Sequence, residues 1–213
     1  MSEEIHGRRV SYERGALDTE HVAADPFTQF GRWLDDALRT PSIVEPNAMT
    51  LATVGDDGRP SARIVLLRQW DLRGFVFYTN YDSRKGRELR ERPVAALSFW
   101  WGELERQVRI EGAVERVLAV ESDAYFSTRP RGHRLSAWSS RQSMPVPDRA
   151  TLDRAFNEAA SRFPGDVPRP PHWGGLRVSP DRFEFWQGRP NRVHDRIAYL
   201  QVEDGWERSR LSP

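Results

Sequence analysis

The sequence predicts a mainly β fold with helices, in the form of a β-barrel carrying α-helical additions. Three observations predict it. Short runs of apolar and β-branched residues recur along the chain, each bounded by turn residues. Amphipathic helices lie between and around those runs and do not alternate strictly with them, which argues against a parallel doubly wound sheet. No G-x-G-x-x-G or G-x-x-x-x-G-K-[ST] loop is present, so neither a dinucleotide fold nor a P-loop is indicated.

Taken in order, Asp25-Pro26 opens a helix, because Asp caps free N–H groups and Pro fits the first turn. Phe27, Phe30, Trp33, Leu34, Ala37 and Leu38 then form one apolar stripe, and Pro41 ends it. Ala48 to Val54 reads as a strand, Asp56-Asp57-Gly58 as a turn, and Ser61 to Arg68 as the returning strand. Gly74 to Asn80 is a third strand. Ser83 to Arg92 is a short helix closed by Pro93. Val94 to Trp101 and Glu105 to Val117 are strands; Val120 to Arg129, Arg134 to Ser140 and Asp148 to Phe163 are helices. After a proline-rich loop come strands at Leu176 to Ser179, Arg182 to Gln187, Asp195 to Val202 and Trp206 to Leu211. Residues 1–24 form an N-terminal segment and residues 25–213 a single domain.

Composition removes several classes of chemistry. There is no cysteine, which excludes disulfides, zinc–thiolate sites and thiol nucleophiles. No apolar run approaches the length of a membrane span, and the polar start lacks an export signal, so a cytoplasmic protein is expected. Net charge is +1, from 32 basic and 31 acidic side chains, which gives no case for nucleic acid. Lys85 is the one lysine among those basic residues. No metal-ligand spacing, G-x-S-x-G or H-E-x-x-H is present.

Four clusters carry candidate chemistry. Arg63-Ile64-Val65-Leu66-Leu67-Arg68 brackets an apolar strand with guanidinium groups. Strict alternation points the two arginines to opposite faces, so they serve one site only if a bulge intervenes or the strand ends near Arg68; otherwise they are solvated strand ends. At Tyr78-Thr79-Asn80-Tyr81-Asp82-Ser83-Arg84-Lys85-Gly86 a strand gives way to a helix, whose free N–H groups suit an anion; an ordinary capped surface helix fits as well. Gln142-Ser143 is a polar pair in a loop. Trp186-Gln187-Gly188 precedes Arg192-Val193-His194-Asp195-Arg196. If that run is extended, Arg192, His194 and Arg196 share one face at intervals of about 6.6–7 Å, an arrangement that calls for an anion. These clusters suit flat, phosphorylated ligands and do not by themselves name a reaction.

The clusters, with Asn47 to Thr53, Leu104-Glu105-Arg106-Gln107-Val108, Tyr125-Phe126, Arg129-Pro130-Arg131, Trp173-Gly174-Gly175 and Glu184 to Gly188, resemble the motifs of the pyridoxine (pyridoxamine) 5'-phosphate oxidase family, in that family's order and over nearly the whole chain. The resemblance implies an FMN-binding split β-barrel working as a homodimer, with FMN at the subunit interface. It implies that Arg63, Ile64, Val65, Leu66, Leu67, Arg68, Tyr78, Thr79, Arg84, Lys85 and Gln107 line the flavin, completed by Gln142, Ser143, Trp186 and Arg196, partly from the other subunit. It assigns the substrate phosphate to Arg68, Tyr125, Arg129 and His133. Arg192, Val193 and His194 fall at the pyridine ring, Arg192 and His194 as the catalytic pair, and Arg9 and Tyr12 in a segment that covers the site. The implied reaction oxidises pyridoxine or pyridoxamine 5'-phosphate to pyridoxal 5'-phosphate, with O2 as acceptor and H2O2 as product. Two positions depart from the family pattern, which has lysine at Arg68 and often a small hydroxyl residue at His133. Competing readings are a phenazine-type oxidase, an FMN carrier, or a nucleic-acid binder; interspersed acidic residues count against the last.

Overall fold

The computed structural model describes residues 11–213. By contact density the chain divides into two compact units: Met1–Thr50 with Ala96–Glu111 and Pro180–Pro213, and Leu51–Ala95 with Gly112–Ser179. Among the described residues the strands form one sheet in the order β2 (Pro60–Leu66), β1 (Ala48–Val54), β5 (Val94–Trp101), β6 (Arg106–Arg116), β7 (Trp173–Gln187), β4 (Gly74–Asn80), β3 (Gln69–Asp71), with β8 (Asp195–Val202) beside β7 and β9 (Gly205–Arg210) beside β8.

The first unit is built on an aromatic core. Helix α1 (Pro26–Leu38) starts where the Asp25 carboxylate accepts the Thr28 N–H at 2.7 Å. Its apolar stripe is buried from Phe27 to Ala37, while Leu38 at its end is exposed. Phe27 and Trp33 meet Phe183 and Phe185 edge-on at ring separations of 5.3 Å. Phe183 and Phe185 sit two apart on one face of β7 (Trp173–Gln187), as strand alternation requires. The sheet ends in a hairpin of β8 (Asp195–Val202) and β9 (Gly205–Arg210), joined by the Glu203-Asp204 turn, after which Gly205 opens β9 at φ 124.

The second unit carries β1 (Ala48–Val54) from Leu51 onward, β2 (Pro60–Leu66), β3 (Gln69–Asp71) and β4 (Gly74–Asn80). It also holds α2 (Arg84–Glu91), α3 (Ala119–Thr128), α4 (Arg131–Ser139) and α5 (Arg149–Arg162). Strands β5 (Val94–Trp101) and β6 (Arg106–Arg116) contribute residues to both units. The β1 burial pattern alternates strictly, with Leu51 and Thr53 on the inward face.

Most elements fall within a residue or two of the expected bounds; the helix expected at Arg134 to Ser140 starts three residues earlier, at Arg131. Three further readings are corrected. The strands expected at Leu176–Ser179 and Arg182–Gln187 are one strand of 15 residues. Its partner on one edge changes from β4 to β8 between Val178 and Arg182, so Pro180 removes no ladder bond there. The strand expected to reach Arg68 stops at Leu66, and the short β3 follows, paired with β4 from Gln69 to Asp71. The run from Arg192 to Arg196 is not extended. Pro190–Arg192 is a tight helical turn in which Asn191 (φ 57) and Arg192 (φ 62) are left-handed, so alternation cannot place Arg192, His194 and Arg196 on one face.

Candidate active site

A cavity of about 810 Å3 opens entirely within the second unit. Because β2 stops at Leu66, Arg63 and Arg68 both line it, along with Ile64, Val65 and Leu66. Leu67 does not; it is buried in the core. Tyr78 and Thr79 enter from the end of β4, Lys85 from the first turn of α2, and Tyr125 and Arg129 from the end of α3. His133 on α4 and Gln142 in the following loop complete the expected set. Trp173, Asn80, Ser136 and Ser140 also line the cavity and were not expected as site residues.

Two groups of cations face this space. In the first, Lys85 Nζ donates to Thr79 Oγ1 and Gln142 Oε1, each at 3.1 Å. Burial, then the neighbouring Arg63 charge, pushes the Lys85 ammonium down to about 8, with Glu88 opposing. Arg63 is fixed from behind by Thr53, Ser61 and Glu88. Burial raises the Glu88 carboxyl, but hydrogen bonds from Thr53, Ser61, Arg84 and Arg63 outweigh it and bring it to about 2. None of Thr53, Ser61 and Glu88 stood out in the sequence. Their spacing is informative in retrospect: Ser61 and Arg63 share a strand face, and Glu88 stands one helical turn after Arg84.

The second group is the guanidinium groups of Arg68 and Arg129, and the His133 side chain lines the same cavity. The Arg129 guanidinium lies 4.5 Å from the centre of the Trp173 ring. Its Nη1 is buried and, among the described residues, has no hydrogen-bond partner. Burial and the Arg68 charge disfavour its charged form, with Tyr125 opposing. A buried, unpaired guanidinium N–H is costly, and an anion in the cavity would relieve it. One wall is aromatic. Tyr78 stacks on Tyr125 at 3.8 Å and on Trp173 at 5.4 Å, and burial, reinforced by Glu121, raises the Tyr78 phenol to about 12. Cations, neutral donors and a flat wall fit a phosphorylated ring system such as FMN, and the volume lies within the roughly 300–1,000 Å3 typical of ligand sites.

Other expected residues lie elsewhere. Arg84 is exposed and binds Glu88 Oε1 at 2.8 Å. Gln107 lies on β6 in the first unit, and Ser143 is exposed in a loop at φ 71. Arg9 is outside the described residues. The remaining residues gather in the first unit. The Trp186 ring lies 4.6 Å from His194, and Tyr12 meets both rings at 5.7 Å. His194 Nδ1 accepts the Arg189 N–H at 3.1 Å, so in the neutral ring the proton sits on Nε2. Arg192 and Val193 are exposed. Arg196 donates twice to buried Glu184, at 2.9 and 3.1 Å, and once to the Ser212 carbonyl at 2.7 Å. Its charge is therefore matched by a carboxylate, which removes the need for an anion inferred from three cations on one face.

Comparison with known proteins gives the same picture of kinship along the chain. Residues 34–163 match the family described as pyridoxamine 5'-phosphate oxidase, and residues 173–213 match the pyridoxine 5'-phosphate oxidase C-terminal dimerisation region. The pyridoxine/pyridoxamine 5'-phosphate oxidase of Burkholderia lata is 57% identical over 208 residues, covering 96% of this chain and 97% of that protein. The protein of the same description from Rubrobacter xylanophilus is 56% identical over 211 residues, covering 99% and 97%. Among solved structures, PhzG from Burkholderia lata 383, in complex with tetrahydrophenazine-1-carboxylic acid, aligns at a TM-score of 0.85 and 32% identity, covering 93% of this chain and all (100%) of that one. A pyridoxamine 5'-phosphate oxidase-related, FMN-binding protein from Nostoc punctiforme shares the fold, with a TM-score of 0.71 at 18% identity over 90% of this chain and 100% of that one.

Proposed function

The chain belongs to the pyridoxamine 5'-phosphate oxidase family, an FMN-dependent family with the split-barrel fold, and from that premise we propose that it oxidises pyridoxine or pyridoxamine 5'-phosphate to pyridoxal 5'-phosphate. The observation that carries the reading is the second cation group. One phosphate accounts for Arg63 and Lys85, yet the same cavity also presents Arg68, His133 and an Arg129 with a buried unpaired N–H. A second phosphorylated ligand beside the cofactor matches that surplus of positive charge.

In this reading Lys85, Thr79, Gln142 and Arg63 hold the cofactor phosphate, and Arg68, Arg129, His133 and Tyr125 hold the substrate phosphate. Bound FMN would supply the redox chemistry: a hydride leaves the substrate carbon as its alcohol or amine loses a proton, these two electrons and two protons end on O2 as H2O2, and with the amine substrate water hydrolyses the imine and releases ammonia. The stacked Tyr78, Tyr125 and Trp173 rings exclude water from one side of the cavity. Arg192 and His194 lie in the matched dimerisation region, and their contribution to substrate binding is assigned to the second copy in a homodimer. The Nε2–H of His194 then serves as a donor that orients the substrate oxygen or amine. Tyr12, packed on Trp186 and His194, belongs to the segment that covers the ring, and a cytoplasmic location is proposed from the polar, cysteine-free sequence. No helix among the described residues is long and apolar enough to cross a membrane.

A phenazine-type oxidation is the second reading, favoured by the likeness to PhzG. Its ligand, as named there, carries a carboxylate and no phosphate, which leaves Arg68, Arg129 and His133 with less to neutralise. The deciding assay follows aldehyde absorbance and peroxide release with pyridoxine 5'-phosphate, pyridoxamine 5'-phosphate and their unphosphorylated forms. Turnover of at least one phosphate ester, and not of its unphosphorylated form, is the expected result; equal turnover with and without phosphate, or no turnover of either ester, removes the proposal.

A further inference from the structure

Glu88 does not line the cavity; it lies behind the wall and is 8% exposed. Its Oε2 accepts the Thr53 hydroxyl at 2.5 Å, the Ser61 hydroxyl at 2.7 Å and Arg63 Nη2 at 3.2 Å. Both hydroxyl protons thus point at Glu88, which turns the hydroxyl oxygens into acceptors for Arg63. Arg63 Nη1 donates to Thr53 and to the Leu51 carbonyl, and Nη2 donates to Ser61 and Glu88. The four terminal N–H bonds of Arg63 are therefore committed to the wall, leaving its Nε–H and its charge for the cavity. The ionised groups facing Lys85 are Arg63 from β2 and Glu88 from its own helix, with opposite effects. Thr79 of β4, Ser83 and Gln142 also bond Lys85 and are neutral.

We propose that Glu88 is a positioning residue for the cofactor: its carboxylate orients Arg63 and backs Lys85 with negative charge, fitting the cavity to phosphorylated flavin over uncharged flavin. The inference rests on the reading of this cavity as the FMN site. Because an ammonium binds phosphate and a neutral amine does not, FMN affinity depends on the protonation of Lys85. Removing Glu88 moves that protonation to lower pH.

The test uses apoprotein titrated with FMN and with riboflavin, and 15N-lysine labelling, which reports Lys85 alone because it is the one lysine. In Glu88→Gln the Lys85 titration moves to lower pH. FMN affinity falls by about tenfold or more at about pH 8.5 and by less at about pH 6.5, while riboflavin affinity stays within about twofold. Equal weakening of both flavins, or a pH-independent loss with the Lys85 titration unmoved, overturns the proposal. Should Glu88→Gln fail to fold, Glu88→Asp and Ser61→Ala carry the test. The first keeps the Lys85 titration in place; the second weakens FMN equally at all pH values. The opposite pattern in either overturns it. If the unmodified protein does not distinguish FMN from riboflavin, the cavity reading itself falls. If it does and the Glu88 variants match it, only the role of Glu88 falls.

Discussion

The charge of Lys85 depends strongly on its surroundings. Its folded pKa of about 8 lies below the ordinary lysine value, chiefly through burial. The folded apoprotein therefore disfavours the ammonium. That penalty is present in full below about pH 8 and is relieved as pH rises towards the unfolded value of about 10.4. Apoprotein stability should accordingly rise over this window relative to Lys85→Met, as denaturant titrations at several pH values would show; parallel curves would refute it. FMN binding has the opposite trend and weakens as pH rises through about 8. Lys85→Ala should raise the FMN Kd by about 10- to 100-fold, the worth of one charge-assisted bond, with less effect on substrate KM. Fluorescence titration measures it. His194 supports a sharper contrast. If its Nε2–H is a donor, His194→Gln supplies an N–H in the same place and keeps kcat/KM within about tenfold. His194→Asn keeps the contact with the Arg189 amide but loses the donor, and falls further. Equal losses of about 10²–10⁴-fold in both, with FMN retained, would instead identify a general base. Much of the cavity was legible in the sequence because Arg63, Arg68 and Lys85 are cations set against apolar strands and a helix start. Thr53, Ser61 and Glu88 were not, since each alone is an ordinary polar residue and only the register of β1, β2 and α2 brings them together.

At the level of elements, the hairpin of β3 and β4 carries Tyr78 of the cavity's aromatic wall, and its turn depends on Gly74. That residue sits at φ 134, and an added Cβ would lie 2.0 Å from the Val178 carbonyl oxygen. Both the dihedral and the close approach exclude a side chain. Gly74→Ala should destabilise the protein by about 2–4 kcal/mol, which for a chain of this size is roughly 5–10 °C in Tm. Calorimetry of the FMN-loaded variant checks it, and an unchanged Tm would show that the turn relaxes without strain. Regular elements were readable because Asp25, Ser83 and Asp148 cap helices while period-2 burial marks strands. The exceptions have local causes. Ser179-Pro180 looks like a strand boundary in sequence, whereas in β7 the proline falls where one neighbour gives way to another. Arg192 looks like part of an extended run, but Pro190 and a left-handed Asn191 make a turn that no apolar period reveals. The tie from Arg196 to Glu184 is likewise long-range across β7 and β8, so sequence spacing gave no notice of it.

For the whole molecule, the question is how many chains build one site. The described cavity draws every lining residue from the second unit, while Arg192, His194 and Arg196 belong to residues 173–213, matched to a dimerisation region. A homodimer with about one FMN per subunit follows from the proposed function, and light scattering with flavin absorbance should show it. Complementation tests the division of labour. Take one chain with Lys85→Ala, which damages the cavity, and another with Arg192→Ala and His194→Ala, which damages the C-terminal set. Each homodimer should have low activity. When the two are co-expressed in equal amounts, half of the dimers contain one of each. If a site combines the cavity of one chain with the C-terminal set of its partner, every mixed dimer has one site free of substitutions and one carrying all of them. Random pairing then restores about one quarter of unmodified activity, and the recovered sites have the unmodified KM. If each chain supplies both sets to its own site, no mixed dimer contains an intact site, and activity stays at the level of the parents. The contrast survives partial defects, because only sharing between chains makes the mixture more active than either parent. Purifying the mixed dimer through two different affinity tags raises the expected value to about one half and removes uncertainty over the mixing ratio. Activity no higher than the average of the two homodimers would place Arg192 and His194 in the site of their own chain.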